Sequence, residues 1–132
     1  MRVYLASRYS TRRQMRKYAK ELRKLGIRVS STWHEAGVAY TVGIKQASNW
    51  QLQAARDYND LDCADTLVMF VKPISKTGGR HVEFGYAVAT GKRILLVGKR
   101  VENVFQDGLE RVKNWKQAKR YLVAHKSAKK SQ

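Results

Sequence analysis

Short apolar runs alternate with longer amphipathic segments along the 132 residues of the chain. Four runs have the length and apolar character of buried strands: 2–6, 27–33, 66–71 and 93–97. Three segments between them have the spacing of helices: 11–25, 47–63 and 80–90. Beyond them, the pattern predicts a short fifth strand starting at Val104 and Phe105, and a last helix over 112–125.

The order of these elements predicts the fold class. Strands that alternate with helices form a parallel sheet with helices on both faces. Gly26 and Gly91 stand where the first and third helices should end. We therefore predict an α/β fold, a doubly wound Rossmann- or flavodoxin-like parallel sheet of four to five strands. With 43% apolar residues, the chain suffices for a single domain.

Composition sets further expectations about the domain and its location. We predict one domain over 1–125 and a basic, disordered tail over 126–132. No stretch approaches the roughly 20 apolar residues that span a bilayer, so we expect a soluble, cytoplasmic protein without a membrane partner. Cys63 is the single cysteine and is expected to be a small buried hydrophobe.

Ligands of doubly wound sheets bind where the loops after the first and third strands meet. The first loop contains Ser7 and Arg8 but neither a dinucleotide-binding nor a Walker-type glycine pattern. The second loop combines a hydroxyl, two glycines and an arginine at a helix start, which suits an anion: Thr77, Gly78, Gly79 and Arg80. The arginines could equally be surface charges of a very basic protein.

One acid stands out in the segment that follows this loop. Glu83 lies among apolar neighbours in what we predict to be the first turn of the third helix. The positive end of the helix dipole should keep such a carboxylate ionised while it is half-buried. An ionised, partly buried carboxylate is what nucleophilic catalysis requires.

A second acid is predicted on the helix before it. Trp50, Ala54, Asp57 and Leu61 fall on one helical stripe, so Asp57 is ionisable within an apolar arc. Pairing with a nearby arginine, or capping of a neighbouring helix, is the alternative. Together with Glu83 it would give the two carboxylates that suit cleavage of a glycosidic bond.

Three pieces of sequence resemble the nucleoside 2-deoxyribosyltransferase family and the related deoxynucleoside 5′-monophosphate N-glycosidases. They are the run 78–89, the Asp57 to Asp65 spacing before an apolar strand, and the opening 3–7. The resemblance covers 1–105. It implies cleavage of the N-glycosidic bond of a 2′-deoxyribonucleoside or its 5′-monophosphate through a covalent deoxyribosyl ester.

The resemblance also implies roles for individual residues. Glu83 matches the nucleophile, Asp57 the acid at the leaving base, and Tyr4 the tyrosine that holds the glutamate. Asn103 resembles an asparagine that reaches the sugar of a neighbouring subunit, which implies a homo-oligomer. No metal or organic cofactor is expected.

The acceptor of the sugar is left open. Transfer to a nucleobase would make the protein a transferase, and transfer to water a hydrolase. Ser7, Thr77 and the backbone of Gly78 and Gly79 could bind a 5′-phosphate, with Arg8 and Arg80 nearby. Trp33 and His34 could line the pocket of the base, because an aromatic face stacks on a nucleobase.

The charge of +17 keeps a second class of function open. Basic residues are concentrated in 2–28 and 111–130, which are almost free of acids. Such termini attract phosphates, although helix faces exposed to solvent also explain them. The alternative hypothesis is a nucleic-acid-binding or nucleotide-sensing module that retains the fold without catalysis.

Overall fold

The structure, a computed structural model, describes residues 1–35, 47–72 and 78–130, without the side chains of 47–49 and 127–130. Within these ranges, five strands form one sheet: β1 (Arg2–Ala6), β2 (Arg28–Val29), β3 (Thr66–Phe70), β4 (Arg93–Val97) and β5 (Arg111–Val112). Four α-helices of the same ranges cover it: α1 (Arg12–Lys24), α2 (Ala47–Asp62), α3 (Gly79–Ala89) and α4 (Trp115–Lys130). None of the helices in the described ranges is long and apolar enough to cross a membrane.

All strand pairs are parallel, and the strand order is β2-β1-β3-β4-β5. Val3 of β1 lies opposite Val29 on one side and Thr66 on the other. The order therefore reverses between β1 and β3, which is the switch point where such sheets bind ligands. The predicted fold class is confirmed, in its flavodoxin-like strand order.

The core lies on both faces of the three central strands. On one face α1 buries Met15, Ala19 and Leu22, and its Tyr18 ring stacks on Trp115 of α4 with centroids 4.2 Å apart. The other face is covered by α2 and α3, where the ring centroids of Tyr58 and Tyr86 lie 5.1 Å apart. This double cover explains why β1, β3 and β4 read as nearly continuous apolar runs.

Glycine ends two helices where the sequence predicts it. Gly26 has φ +78° and Gly91 has φ +73°, values that side chains disfavour. Each allows the next amide to reach back into the helix: Ile27 N–H donates to the Leu22 carbonyl and Lys92 N–H to the Ala87 carbonyl, both at 3.0 Å. These bonds satisfy carbonyls left over at the helix ends.

The second strand is shorter than predicted because the chain turns away after Val29. Asp60 of α2 accepts the Thr32 amide at 3.1 Å and its hydroxyl at 2.6 Å. These bonds hold Thr32 to α2, and the Glu35 amide donates to the Thr32 carbonyl at 3.0 Å, so the chain turns at 32–35 instead of continuing the strand. At the start of β3, the Asp65 carboxylate accepts the Arg2 amide at 3.0 Å and so links β3 to β1.

The fifth strand is not where the sequence placed it. Val104 and Phe105 belong to a 3-10 helix, Val104–Gln106, and the strand is Arg111–Val112. The Asn103 side chain accepts the Phe105 amide at 3.0 Å, and this cap favours a helical turn over an extended strand.

Two further expectations differ from the structure. Cys63 is exposed rather than buried, because it follows the last residue of α2 at the edge of the domain. The last helix continues five residues beyond His125, since 126–130 contains no helix breaker and the Lys126 ammonium donates to the Leu25 carbonyl at 2.7 Å. The remaining residues of the predicted tail, 131–132, lie outside the described part of the chain.

Candidate active site

The candidate site is organised around a hydrogen bond between the sheet and a helix. Tyr4, fully buried in β1, donates its hydroxyl to Oε2 of Glu83 on α3. Tyr4 sits at the third position of a strand whose last four residues are buried, so its ring is held firmly. The two groups that the sequence analysis linked only by resemblance are therefore in direct contact.

The electrostatics of Glu83 differ from the sequence-based expectation. Because α3 begins at Gly79, Glu83 is its fifth residue and lies beyond the first turn, where the helix dipole acts most strongly. Burial raises the pKa of Glu83 to about 8, and the nearby charge of Asp57 adds to this rise. The Tyr4 hydrogen bond acts in the opposite direction, since it favours the ionised form.

Asp57 on α2 is the second carboxylate of the site. It is close enough to Glu83 for its charge to raise the pKa of that residue. It also pairs with its neighbour on the helix, Arg56, at 3.2 Å between Oδ1 and Nη2, so the predicted alternative of an arginine partner is present too. Its side chain is about 25% exposed, which leaves it accessible.

The apolar stripe predicted around Asp57 is only partly buried. Leu61 is fully buried, whereas Trp50 is 74% exposed and Ala54 is exposed. The described contacts of α2 with its neighbours lie near its carboxyl end, where Tyr58 and Asp62 meet Tyr86 of α3. The first half of α2 thus presents apolar side chains to solvent.

Arg80 holds the start of α3 against the sheet. Its side chain is 1% exposed, so the alternative of a surface charge is wrong. Nη1 donates to the Phe70 carbonyl at the end of β3 at 2.7 Å, and Nη2 donates to Glu102 at 2.5 Å. The guanidinium therefore fixes the start of α3 directly. Because it is buried, it could attract a bound anion only through its charge and not by direct contact.

The glycines before Arg80 form the start of the helix. Gly78 has φ +74° and caps α3, and its carbonyl accepts the His81 amide at 3.0 Å. An added side chain at Gly78 or Gly79 would meet no atom within 4 Å of its Cβ among the described residues, so a ligand could approach this backbone closely. Thr77, predicted beside them, lies outside the described residues.

The loop after β1 carries Ser7 and Arg8, both partly buried. The Thr11 hydroxyl donates to the Arg8 carbonyl at 2.6 Å and lies 2.9 Å from the Ser7 hydroxyl. Arg8 caps the short 3-10 helix Tyr9–Thr11. These bonds order the loop at the carboxyl end of the strand that carries Tyr4.

Trp33 and His34 are both buried. The Trp33 indole donates to the Leu5 carbonyl at 2.7 Å. His34 is fully buried, its Nε2 is 2.9 Å from the Ser31 hydroxyl, and burial lowers its pKa to about 4. The neutral ring therefore supports the loop after β2, whereas Trp33 retains a 5% exposed edge.

The Asn103 side chain forms the cap of the 3-10 helix Val104–Gln106, as described above. Beside it, Val104 is 80% and Phe105 75% exposed. This turn lies next to Glu102, and so it is attached to the start of α3 through Arg80.

Comparison with known proteins identifies the family. The model of the nucleoside 2-deoxyribosyltransferase family matches residues 3–124. The chain belongs to this family. The match includes every described residue of the site, from Tyr4 to Asn103.

Solved structures agree with the fold. A 2-deoxyribosyltransferase from Bacillus psychrosaccharolyticus superposes with a TM-score of 0.69 at 20% identity, covering 90% of both chains. A conserved protein from Enterococcus faecalis V583 gives 0.69 at 14% identity, covering 91% of this chain and 95% of that one. The CMP N-glycosidase of Clostridium botulinum gives 0.59 at 20% identity, covering 92% and 98%. Among curated proteins, none matches the sequence.

Sequence reasoning about this member of the deoxyribosyltransferase family missed Glu102. Its side chain is 7% exposed, pairs with Arg80, lies 3.6 Å from His81, and accepts a hydrogen bond from Gln106 Nε2 at 3.4 Å. The Glu102 backbone amide in turn donates to Gln106 Oε1 at 2.9 Å. An acid between a valine and an asparagine carries no helical or strand period, so no pattern marked it.

Glu83→Gln should stabilise the protein at high pH. The folded-state pKa of about 8 exceeds the ordinary 4.5, so stability falls as the pH rises from about 4.5 to about 8. Since one pKa unit corresponds to about 1.4 kcal/mol, we expect the variant to gain a few kcal/mol over wild type at about pH 9 and almost nothing at about pH 4. Urea unfolding followed by circular dichroism measures this difference.

The control for that experiment is Asp107→Asn, which neutralises an exposed acid. It should show no comparable pH-dependent gain. An equal gain for Glu83→Gln at both pH values would mean that the carboxylate is not desolvated in the fold.

Proposed function

We propose that the protein cleaves the N-glycosidic bond of a 2′-deoxyribonucleoside or its 5′-monophosphate, with Glu83 as the nucleophile. The observation that carries the proposal is the contact of the Glu83 carboxylate with the Tyr4 hydroxyl, at a site where Asp57 is a second carboxylate. Membership of the nucleoside 2-deoxyribosyltransferase family supports it.

The proposed reaction proceeds by two displacements. A Glu83 carboxylate oxygen attacks C1′ of the deoxyribose, and the bond from C1′ to the base nitrogen breaks with its electron pair leaving on the base. The base takes up a proton. An acceptor nitrogen of a second base, or water, then attacks C1′, releases Glu83 as carboxylate, and loses a proton, so the configuration at C1′ is retained.

Asp57 is the group we assign to proton transfer. Burial leaves a proton on Glu83 near neutral pH, and the two carboxylates interact, so they titrate as a pair. Movement of that proton from Glu83 to Asp57 would produce the ionised nucleophile and an acid for the leaving base. The Tyr4 hydroxyl stabilises the carboxylate once it forms.

The substrate would bind at the carboxyl end of the strands. We assign Ser7, Arg8 and the backbone of Gly78 and Gly79 to the sugar and its 5′ substituent, because they lie in loops beside the switch point. Thr77 is retained as a candidate on its sequence position alone. For Arg80 and His34, both buried through contacts with protein groups, we propose support of the pocket rather than contact with substrate.

The remaining candidates concern the base and a neighbouring subunit. Trp33 is proposed to present its exposed edge to the base. Asn103 is proposed to act across a subunit interface, where release from its local cap would let its amide reach a partner's substrate.

Base release should depend on Glu83. Incubation with a panel of deoxynucleosides and deoxynucleoside 5′-monophosphates, with and without an acceptor base, followed by chromatography, should show free base or exchanged nucleoside. Glu83→Gln should lower the rate by at least 10³-fold, because an amide cannot form the ester. Exchange only with acceptor identifies a transferase, and release in water a hydrolase.

The assignment of Glu83 as nucleophile would be wrong if the Glu83→Gln variant released base at the wild-type rate. Absence of any turnover by wild type across the panel would favour the alternative of a nucleotide-sensing module. Asp107→Asn, which changes an exposed acid, should retain full activity.

Asp57→Asn should slow the reaction in a way that depends on the leaving group. Poorly activated bases should lose about 10²- to 10⁴-fold in kcat, since the variant cannot deliver a proton. A substrate with a well-activated leaving group should lose much less. Parallel assays of both substrates measure the difference, and equal losses would limit Asp57 to a positioning or structural role.

We also propose that the protein is a homo-oligomer, at least a dimer. Large apolar side chains are exposed in two places, Trp50 and Leu52 at 74% and 70%, and Val104 and Phe105 at 80% and 75%. Sedimentation velocity at micromolar concentration should give a dimer or larger species, and Phe105→Ser should shift it toward monomer. Val88→Ser, at a position 50% exposed on α3, is the matched control.

A fully active wild-type monomer at that concentration would contradict the oligomer and the assignment of Asn103 to a partner's site.

A further inference from the structure

The outer surface of α1 carries a row of four exposed cations. Residues 13, 17, 20 and 24 recur at the spacing that places them along one line of a helix, opposite the buried Met15, Ala19 and Leu22. All four are exposed: Arg13, Lys17, Lys20 and Lys24. No ion pair within 4 Å joins any of them to an acid in the part of the chain that the structure describes.

The helix beside it extends this surface. α4 buries Trp115, Ala118 and Leu122 and exposes Lys116 and Arg120 on its opposite side. The sequence of α4 contains no acid, and neither exposed cation has an ion pair among the described residues. We refer to these six exposed residues of α1 and α4 as the basic face.

Contacts along both helices hold the two rows side by side. The rings of Tyr18 and Trp115 stack at 4.2 Å, the Lys119 ammonium lies 2.7 Å from Glu21, and the Lys126 ammonium donates to the Leu25 carbonyl at 2.7 Å. The partners advance together along both helices, so the helices run parallel. Glu21, the one acid of α1, forms its ion pair with Lys119 of α4.

We propose that the basic face binds the phosphate backbone of duplex DNA without regard to sequence. The 13 residues of α1 span about 20 Å, roughly the length of six phosphates of one strand. The four cations of α1 and the two of the neighbouring α4 row together equal the charge of about six phosphates. The inference stands independently of the proposed function, because no residue of the basic face belongs to the candidate active site.

The composition of the face favours a duplex over other polyanions. Proteins that bind single strands stack bases on exposed aromatic rings. Here Tyr18 and Trp115 are occupied by stacking on each other, and Trp115 is buried. Helices that bind membranes insert an apolar face, whereas the apolar side of α1 is buried against the sheet.

Fluorescence anisotropy with labelled 20-base-pair DNA of two unrelated sequences tests this inference. Six phosphate contacts predict a slope of about −5 for log K against log salt concentration, with equal affinity for both sequences. The triple variant Lys17→Gln, Lys20→Gln, Lys24→Gln should bind roughly 100-fold more weakly at 0.1 M salt, with a slope less steep by about 3. Its circular dichroism should be unchanged, since all three side chains are exposed.

A matched variant separates the face from net charge. Lys72→Gln, Lys99→Gln, Arg100→Gln removes three exposed cations that lie outside α1 and α4. It should keep nearly wild-type affinity and most of the slope. Equal weakening by both triple variants would overturn the inference, because general attraction would then account for binding.

Four further measurements complete the test. Glu83→Gln should bind duplex DNA like wild type, so failure of catalysis and failure of DNA binding are distinguishable. The Lys17, Lys20, Lys24 variant should retain base release from a free deoxynucleotide. Tighter binding to a single strand, or to phosphatidylglycerol vesicles, than to the duplex would overturn the assignment of the partner.

Discussion

The contact between the Tyr4 hydroxyl and the Glu83 carboxylate is the constraint on which the candidate site depends. A carboxylate surrounded by protein loses the hydration that stabilises its charge, which raises its pKa. One donor from the rigid centre of the sheet compensates in part and fixes the direction of the carboxylate. The fold thus holds a group in a state that is unfavourable for stability and useful for chemistry, a common conflict at active sites.

The position of α3 must be fixed for this contact to exist. Arg80 provides that fixation, because its guanidinium joins the last carbonyl of β3 to Glu102 beyond β4. The Arg80–Glu102 pair is nearly excluded from water, so removal of one partner would leave an uncompensated buried charge. Gly78 at φ +74° lets the chain enter the helix at this point. The start of α3 is therefore defined by the backbone conformation of Gly78 and by the ion pair of Arg80 with Glu102.

The fold was predictable because its signals are local. Alternating apolar runs and helix-ending glycines indicated the parallel sheet, and Gly91 and the strand Arg93–Val97 are observed as predicted. The errors arose where a distant partner decides the structure. Asp60 shortens the second strand through Thr32, and no periodicity contains that information.

The candidate site was predictable in its residues more than in its physics. Glu83 and Asp57 were selected from pattern and resemblance, and their interaction is present. The environment of Glu83 differs from the prediction, because burial raises the pKa of its carboxyl and because α3 begins one residue earlier than predicted. The alternative that Arg80 is a surface charge was wrong for a similar reason, since Glu102, its partner, lies 22 residues away. Sequence identifies which groups are available, whereas tertiary packing decides which are already engaged.

The distribution of charge links the fold to both proposals. Most of the acids are held by specific contacts, including those of Glu21 with Lys119, Glu35 with Arg23, and Glu102 with Arg80. Few acids are therefore left to offset the exposed cations, and the net charge of +17 acts largely as a surface field. Because α1 begins directly after the loop that follows β1, this field extends to the edge of the candidate site and would draw phosphates toward it. The same cations can then raise the encounter rate of a nucleotide with the site and hold a polynucleotide along the basic face, so moderate salt should weaken the second effect far more than it weakens catalysis.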